Sequence, residues 1–472
     1  MTNSLLSYQG CYCVSDVWEK MTLGNGMSKR RGIYWFNHDL RLHDNKLLQK
    51  ASEHVDRLHC VYFDELKTMY DRRFLPVEID DSAKREFKMQ ALGELNQSLM
   101  QLGQVLHQVS VTSLDEAVSQ LEQMFDYYSI TDLYVANSAS WYIDYVVTKA
   151  LFKRTDIVLH RDDTESLFHQ TLLPFDLEDL PHSFTRFKNK MESIVVPSPS
   201  QTTTQLPPPM NNRDGLPASY GCEPSSLKLH GSVRGGELAG LGHVRDYFAT
   251  QAALSYKSTR NELDNWSSST KFSLWLANGN VSPRAVVNQL HRFEQKHGSN
   301  ESTHWILFEL LWREYFHWYS HKHGAKLFAF GGIQDKRPLT TFYASRLRQW
   351  VEGNTPFPIV NACMNQLRET GYMSNRGRQL VASCLVHELS LDWRYGACYF
   401  QHMLIDYDVG SNWGNWQYLA GVGADPRGNR KFDLDKQSQL YDPESVFIRK
   451  WKGDRPNSSL NAVDMTDWPI QD

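Results

Sequence analysis

The chain has 472 residues, more than one hydrophobic core organises, so two domains are expected. Its formal net charge of −4 excludes a globally basic nucleic-acid binder, and any polyanion must meet a local patch. No run approaches the roughly 18 consecutive apolar residues of a membrane span.

The first 26 residues carry no Arg, include Asp16 and Glu19, and lack an apolar core of signal length, which argues against a signal or transit peptide. Met27-Ser28-Lys29-Arg30-Arg31 directly precedes the first strand-like run. Met27 is therefore an alternative start, and residues 1–27 read as a poorly ordered extension. Residues 28–165 alternate strand and helix signals. Strands are expected at 32–36, 58–63, 104–109, 132–136 and 157–160, and helices at 84–102, 114–125 and 141–152. That alternation implies βαβ units and a parallel, Rossmann-like sheet. No Gly-x-Gly-x-x-Gly follows the first strand, so the ordinary dinucleotide fingerprint is absent.

Residues 166–234 read as an interdomain connector. Its 197–230 stretch is rich in Pro, Ser, Thr and Asn, includes Pro207-Pro208-Pro209, and is expected to be extended and draped on the surface. Residues 235–472 have helical patterns throughout, with helices at 303–323, 381–389 and 393–404. The fold class is thus an α/β domain followed by an all-α domain. The seven Cys show no paired metal spacing, and Cys363, Cys384 and Cys398 lie among apolar residues. They read as reduced thiols of an intracellular protein, with no metal site.

The chemistry-bearing runs concentrate in the second half, where most of the 14 Trp also lie. Ser269-Thr270-Lys271-Phe272-Ser273 combines hydroxyls, a cation and an aromatic just before a helix. That set suits a diphosphate, although a plain Ser/Thr helix cap explains it too. Glu309, Trp312 and Arg313 share one helical face by i, i+3, i+4 spacing. A carboxyl, a stacking ring and a cation there suit a damaged dinucleotide and its phosphate; a surface ion pair beside a buried Trp is the alternative. Tyr372-Met373-Ser374-Asn375-Arg376-Gly377-Arg378-Gln379, Asp406-Tyr407-Asp408 and Asn412-Trp413-Gly414-Asn415-Trp416-Gln417-Tyr418 bring amides, arginines, carboxylates and indoles into a short stretch. A redox-active flavin needs such a set: polar groups to polarise its ring, a counter-charge, and oxidisable indoles nearby.

These runs resemble the photolyase/cryptochrome family, and most closely its DASH-type branch. Trp35-Phe36-Asn37-His38-Asp39-Leu40-Arg41-Leu42-His43-Asp44-Asn45 resembles the family's opening strand and loop, with Asn37 where Arg is usual. Pro181-His182-Ser183-Phe184-Thr185-Arg186-Phe187 resembles the segment that follows this domain in DASH-type members. The resemblance spans roughly residues 32–452. It implies that Tyr256 and residues Ser269, Thr270, Lys271, Phe272 and Ser273 hold the FAD diphosphate and ribityl. Arg378 and Asp406 match the ion pair beside the flavin, Asp408 a group near the ring's polar edge, and Asn412 the amide facing N5. Trp416 and Trp393 match the inner and middle members of the family's electron-transfer chain, while Thr340 stands where the distal Trp is usual, so either Tyr343 or another Trp substitutes or the chain is shorter.

On the substrate side the resemblance implies that Glu309 hydrogen-bonds the damaged bases, Trp312 stacks on them, and Arg313 lies near phosphate. Arg260, Arg376 and Gln437 match DNA contacts, and Asn375 matches an amide lining the lesion pocket. Gln379 and Tyr418 are residues that DASH-type members tend to show; Tyr418 replaces a Trp of ordinary photolyases. Asn375 and Gln379 also stand where the (6-4) branch has its His signature. The implied activity is blue-light-driven, FAD-dependent repair of cyclobutane pyrimidine dimers, preferentially in single-stranded DNA. Methenyltetrahydrofolate is the antenna pigment the family usually adds. A photoreceptor without repair, or a flavin-bearing nucleic-acid binding protein, uses the same cofactor residues.

Overall fold

The computed structural model describes residues 29–64, 73–74, 79–210, 227–229, 233–341, 343–425 and 430–456. The extension 1–27, with Met27, lies outside these residues. Five strands, β1 (Arg31–Phe36), β2 (Arg57–Phe63), β3 (Leu106–Val109), β4 (Asp132–Val135) and β5 (Val158–His160), form one parallel sheet in the order β3-β2-β1-β4-β5. β1 is central and apolar on both faces, as a doubly covered parallel strand must be. Tyr34 and Phe36 enter the core under helices Lys46–His54 and Ser82–Gln101. Ile33 and Trp35 enter the opposite core, under Leu114–Tyr128 and Trp141–Leu151.

The loop after β1 joins the two domains. Arg41 is fully buried and spends its guanidinium on the carbonyls of His43, Asp44, Thr164 and Gly279. Asp44 pairs with Arg284 at 2.8 Å, with side chains 0% and 2% exposed. Burial opposes the Asp44 charge, but Arg284, Arg41 and the Ser282 hydroxyl hold its carboxyl below the ordinary value. Gly279 is required at this seam: its φ is +66°, and a Cβ would lie 1.8 Å from the His38 carbonyl oxygen.

Beyond residue 235 the described structure is helical and shares one large apolar core. Its longest helix, Glu301–His323, starts at a capping box made by Asn300 and Thr303. The expected helix at 381–389 is displaced: the helix is Asn375–Ser383, capped by the Ser374 hydroxyl, and Cys384–Glu388 is a wider turn. The polar Asn375-Arg376-Gly377-Arg378 start hid it from hydrophobic periodicity. Within the connector, Phe184–Met191 is a helix whose Phe184, Phe187 and Met191 enter the helical core. Further on, Pro209 bridges Leu58, and Met210 packs into a sheet core. The described part of the connector is thus draped on both domains. No helix among the described residues is long and apolar enough to cross a membrane.

Candidate flavin and DNA site

The helix Glu301–His323 positions the outer part of the site. Glu309 accepts hydrogen bonds from Arg260 Nη1 at 2.6 Å and Trp305 Nε1 at 3.0 Å. Burial raises its carboxyl above the ordinary value, opposed by Arg260 and the Trp305 bond. Lys257 and Arg260 lie 4.7 and 5.1 Å from the Trp305 ring centroid. One helical repeat on, Trp312 stacks against Phe184 at 3.7 Å and 12° and meets the edge of Tyr418 at 5.9 Å and 81°. Arg430 lies over the Tyr418 ring at 4.5 Å, hydrogen-bonds its hydroxyl, and pairs with Asp425.

Arg313 differs from the expectation of a phosphate contact. Its guanidinium turns inward, donating to the Glu165 carbonyl at 2.6 Å and lying 3.7 Å from Asp408, with 12% of its side chain exposed. At i+4 on this helix it shares a side with His317, which the sequence reading missed. His317 Nε2 donates to Asp408 Oδ2 at 2.7 Å, while Asp408 Oδ1 caps the helix Val409–Leu419 through Ser411 N–H at 2.7 Å. Burial works against the Asp408 charge, yet His317, Arg313 and Ser411 hold the carboxyl far below the ordinary carboxylate range. Counting i+4 and i+8 from Glu309 would have reached Arg313 and His317; a lone buried His gives no signal by itself.

Arg378 Nη2 donates to both Asp406 oxygens at 2.8 Å, and its Nε donates to the Met373 carbonyl at 2.9 Å. Asp406 is 1% and Arg378 25% exposed on their side chains, so the pair lies at the edge of the interior. Asn412 is on the helix Val409–Leu419 rather than in a loop; its amide donates to the Ala397 carbonyl at 2.9 Å, which fixes the side chain. Tyr256 is buried, on the short helix Tyr256–Thr259. In the Ser/Thr block, Ser269 and Thr270 are half-buried, Phe272 is buried, and Ser273 is exposed at the start of a short helical turn, Ser273–Leu276. The Thr270 backbone carbonyl accepts from His243 Nε2 at 2.8 Å.

Lys271 decides whether this block fits a diphosphate. It is 6% exposed, has φ +55°, and its ammonium lies 5.1 Å from the Tyr372 ring and 5.8 Å from that of Trp266. Among the described residues no carboxylate pairs with it. A buried ammonium without a counter-anion is costly, and a bound diphosphate removes that cost. The residues therefore fit FAD: hydroxyls and Lys271 for its phosphates, and the Arg378–Asp406 pair, Asp408 and Asn412 for its ring.

The expected relay indoles are both interior: Trp416 is 2% and Trp393 1% exposed. Trp416 packs against Gly396, where a Cβ would lie 2.2 Å from Cη2. Thr340 is exposed, and its neighbour Thr341 bridges Leu391, two residues before Trp393. At the other margin Arg376 lies 4.7 Å over the Tyr441 ring and reaches Asn261 and Gln437 only at 3.4 and 3.5 Å; its buried Nε has no acceptor. Asn375 is exposed and Gln437 half-exposed beside it.

Two family models match the sequence: "DNA photolyase" over residues 32–209 and "FAD binding domain of DNA photolyase" over residues 305–458. The chain belongs to the photolyase/cryptochrome family. Cryptochrome DASH of Vibrio parahaemolyticus is 49% identical over 446 residues, covering 94% of this chain and 98% of that protein. The crystal structure of a Synechocystis cryptochrome superposes with a TM-score of 0.79 at 32% identity, covering 94% of this chain and 96% of that one. The Sulfolobus tokodaii photolyase, solved with two FAD molecules, matches at TM-score 0.70 and 25% identity over 94% and 96% of the chains. The resemblance to DASH-type cryptochromes thus holds over nearly the whole chain, and with it the FAD-binding assignment of the helical domain.

Proposed function

We propose that this DASH-type cryptochrome uses blue light and FAD to split cyclobutane pyrimidine dimers, preferentially in single-stranded DNA. The observation that carries the reading is the helix Glu301–His323. On it Trp305 and Glu309 meet Arg260, Trp312 meets Phe184 and Tyr418, and Arg313 and His317 meet Asp408. Residues suited to the lesion and residues suited to the flavin share one rigid element, which holds donor and acceptor in fixed relation.

When bound, FAD supplies the light-driven electron chemistry. The chain supplies the rest. Glu309 offers an acceptor to the edges of the damaged bases, and Arg260 and Trp305 keep it oriented. Trp312, backed by Phe184, and Tyr418, tied to Arg430, form the aromatic wall. Asp408, kept ionised by His317, Arg313 and Ser411, would accept from a ring N–H, and the Arg378–Asp406 pair would set a compensated charge beside the ring. Arg260, Arg376 and Gln437 make the DNA-facing margin, and Arg313 is assigned to the interior.

The strand preference follows from Tyr418. Stacking returns about 1–3 kcal/mol per base, and extruding a dimer from a duplex costs a few kcal/mol. A phenol held by Arg430 gives less stacking area than an indole, so this aromatic wall offsets less of that cost. The test is dimer repair under blue light by chemically reduced protein on matched single-stranded and duplex oligonucleotides. Repair of neither, with FAD bound, would point to a photoreceptor or binding protein instead.

A further inference from the structure

The following inference rests on the reading that Trp416 and Trp393 relay electrons toward bound FAD. Trp393 is 1% exposed, and Thr340 offers no ring to carry an oxidising equivalent outward. An electron vacancy on Trp393 would therefore be stranded in the interior unless another side chain took it.

Trp413 is in contact: its ring centroid lies 5.8 Å from that of Trp393, edge to face at 78°. Trp413 is itself fully buried, but its indole N–H reaches Tyr407 Oη and Gln401 Oε1, both at 3.2 Å. The Tyr407 hydroxyl donates to Gln401 Oε1 at 2.9 Å. Tyr407 is half-exposed, with the Lys84 ammonium 5.0 Å from its ring centroid. Two oxygen acceptors at the Trp413 N–H stabilise positive charge there, whereas Trp393 donates to one carbonyl, that of Phe330, at 3.0 Å. The competing ring beside Trp416 is Trp350, 6.4 Å away; it leads to Tyr399, which is only 3% exposed.

We propose that Trp413 and Tyr407 form the outer end of the electron path in this chain, in place of the absent indole at 340. One electron passes from Trp413 to oxidised Trp393, and one from Tyr407 to oxidised Trp413. Lys84 opposes a cation on the Tyr407 ring, so the phenolic proton leaves for solvent water with that electron. A thiol in solution then returns one hydrogen atom to the tyrosyl oxygen, and two thiyl radicals couple to a disulfide.

The experiment is time-resolved optical and electron paramagnetic resonance spectroscopy of the full chain loaded with FAD, with a thiol present. It compares wild type with Tyr407→Phe, Trp413→Phe and Trp350→Phe. A neutral tyrosyl signal is expected in wild type and Trp350→Phe, and its loss in Tyr407→Phe and Trp413→Phe. Trp413→Phe should also lower the photoreduction rate severalfold at unchanged FAD content, and Thr340→Trp in that background should restore it. Tyr407 is partly exposed, so Tyr407→Phe carries the test alone if Trp413→Phe fails to fold. A tyrosyl signal that survives Tyr407→Phe, or wild-type photoreduction in Trp413→Phe, overturns the proposal. Trp416→Phe is the control: if it too photoreduces like wild type, the relay reading beneath the proposal fails first.

Discussion

Asn412 is anchored to the Ala397 carbonyl, so its chemistry is set by one fixed amide. Asn412→Asp places a titratable charge there, and we expect illuminated protein to accumulate a different flavin oxidation state from wild type. Absorption spectra during illumination check this; superimposable spectra would contradict the placement. Glu309 has a comparably narrow role. Glu309→Gln keeps an acceptor but removes the charge, and repair should slow about 10- to 100-fold, the equivalent of a charged hydrogen bond of roughly 1.5–3 kcal/mol. FAD content should stay the same, since Glu309 faces Arg260 and Trp305 rather than Lys271. At this scale the sequence was readable where a motif has a fixed register: Arg378 does pair with Asp406, and Asn412 and Trp416 share a helix with Trp413. It was unreadable where direction matters. Helical spacing puts Arg313 beside Glu309 but does not say that its guanidinium turns toward Asp408.

The elements follow hydrophobic period closely where that period is strong. β1, β2 and the helix Glu301–His323 lie within two residues of expectation. The start at Asn375 was missed because its first turn is polar and its signal is the Ser374 cap. Thr340 illustrates an element-level consequence. Because Thr341 bridges Leu391, the exposed side chain at 340 lies beside the start of the Trp393 helix. Thr340→Trp should therefore quicken flavin photoreduction, measured as bleaching under blue light with a thiol donor; no change would mean the loop holds the new ring away from Trp393. The sheet carries a pH-dependent weakness of its own. His59 on β2, whose ring lies 4.3 Å from that of His107 at a tilt of 35°, has its pKa lowered by burial, and further by His107, to about 3. The unfolded chain takes up that proton near the ordinary value of about 6.5, so stability falls as pH drops from there toward 3, by at most about 1.4 kcal/mol per pH unit. His59→Gln should flatten that acid limb in denaturation midpoints measured from pH 7 to 4.

Taken whole, the molecule depends on a polar seam between two cores. Arg41, Asp44, Arg284 and Gly279 join the sheet domain to the helices. Arg284→Ala leaves Asp44 buried and unpaired and should cost about 3–5 kcal/mol in chemical denaturation, much more than a surface pair. The sequence showed Asp44 only as part of a resembling loop, because its partner lies 240 residues away. We propose that the cluster of Glu309, Trp312 and Tyr418 receives a dimer that is already unpaired. The most direct test is the ratio of repair rates on single-stranded and duplex dimer substrates, at matched salt and saturating light with chemically reduced protein. Efficient repair of the single strand and weak repair of the intact duplex are expected, with Tyr418→Trp narrowing the gap in part; equal rates on the two substrates would rule out the single-strand preference.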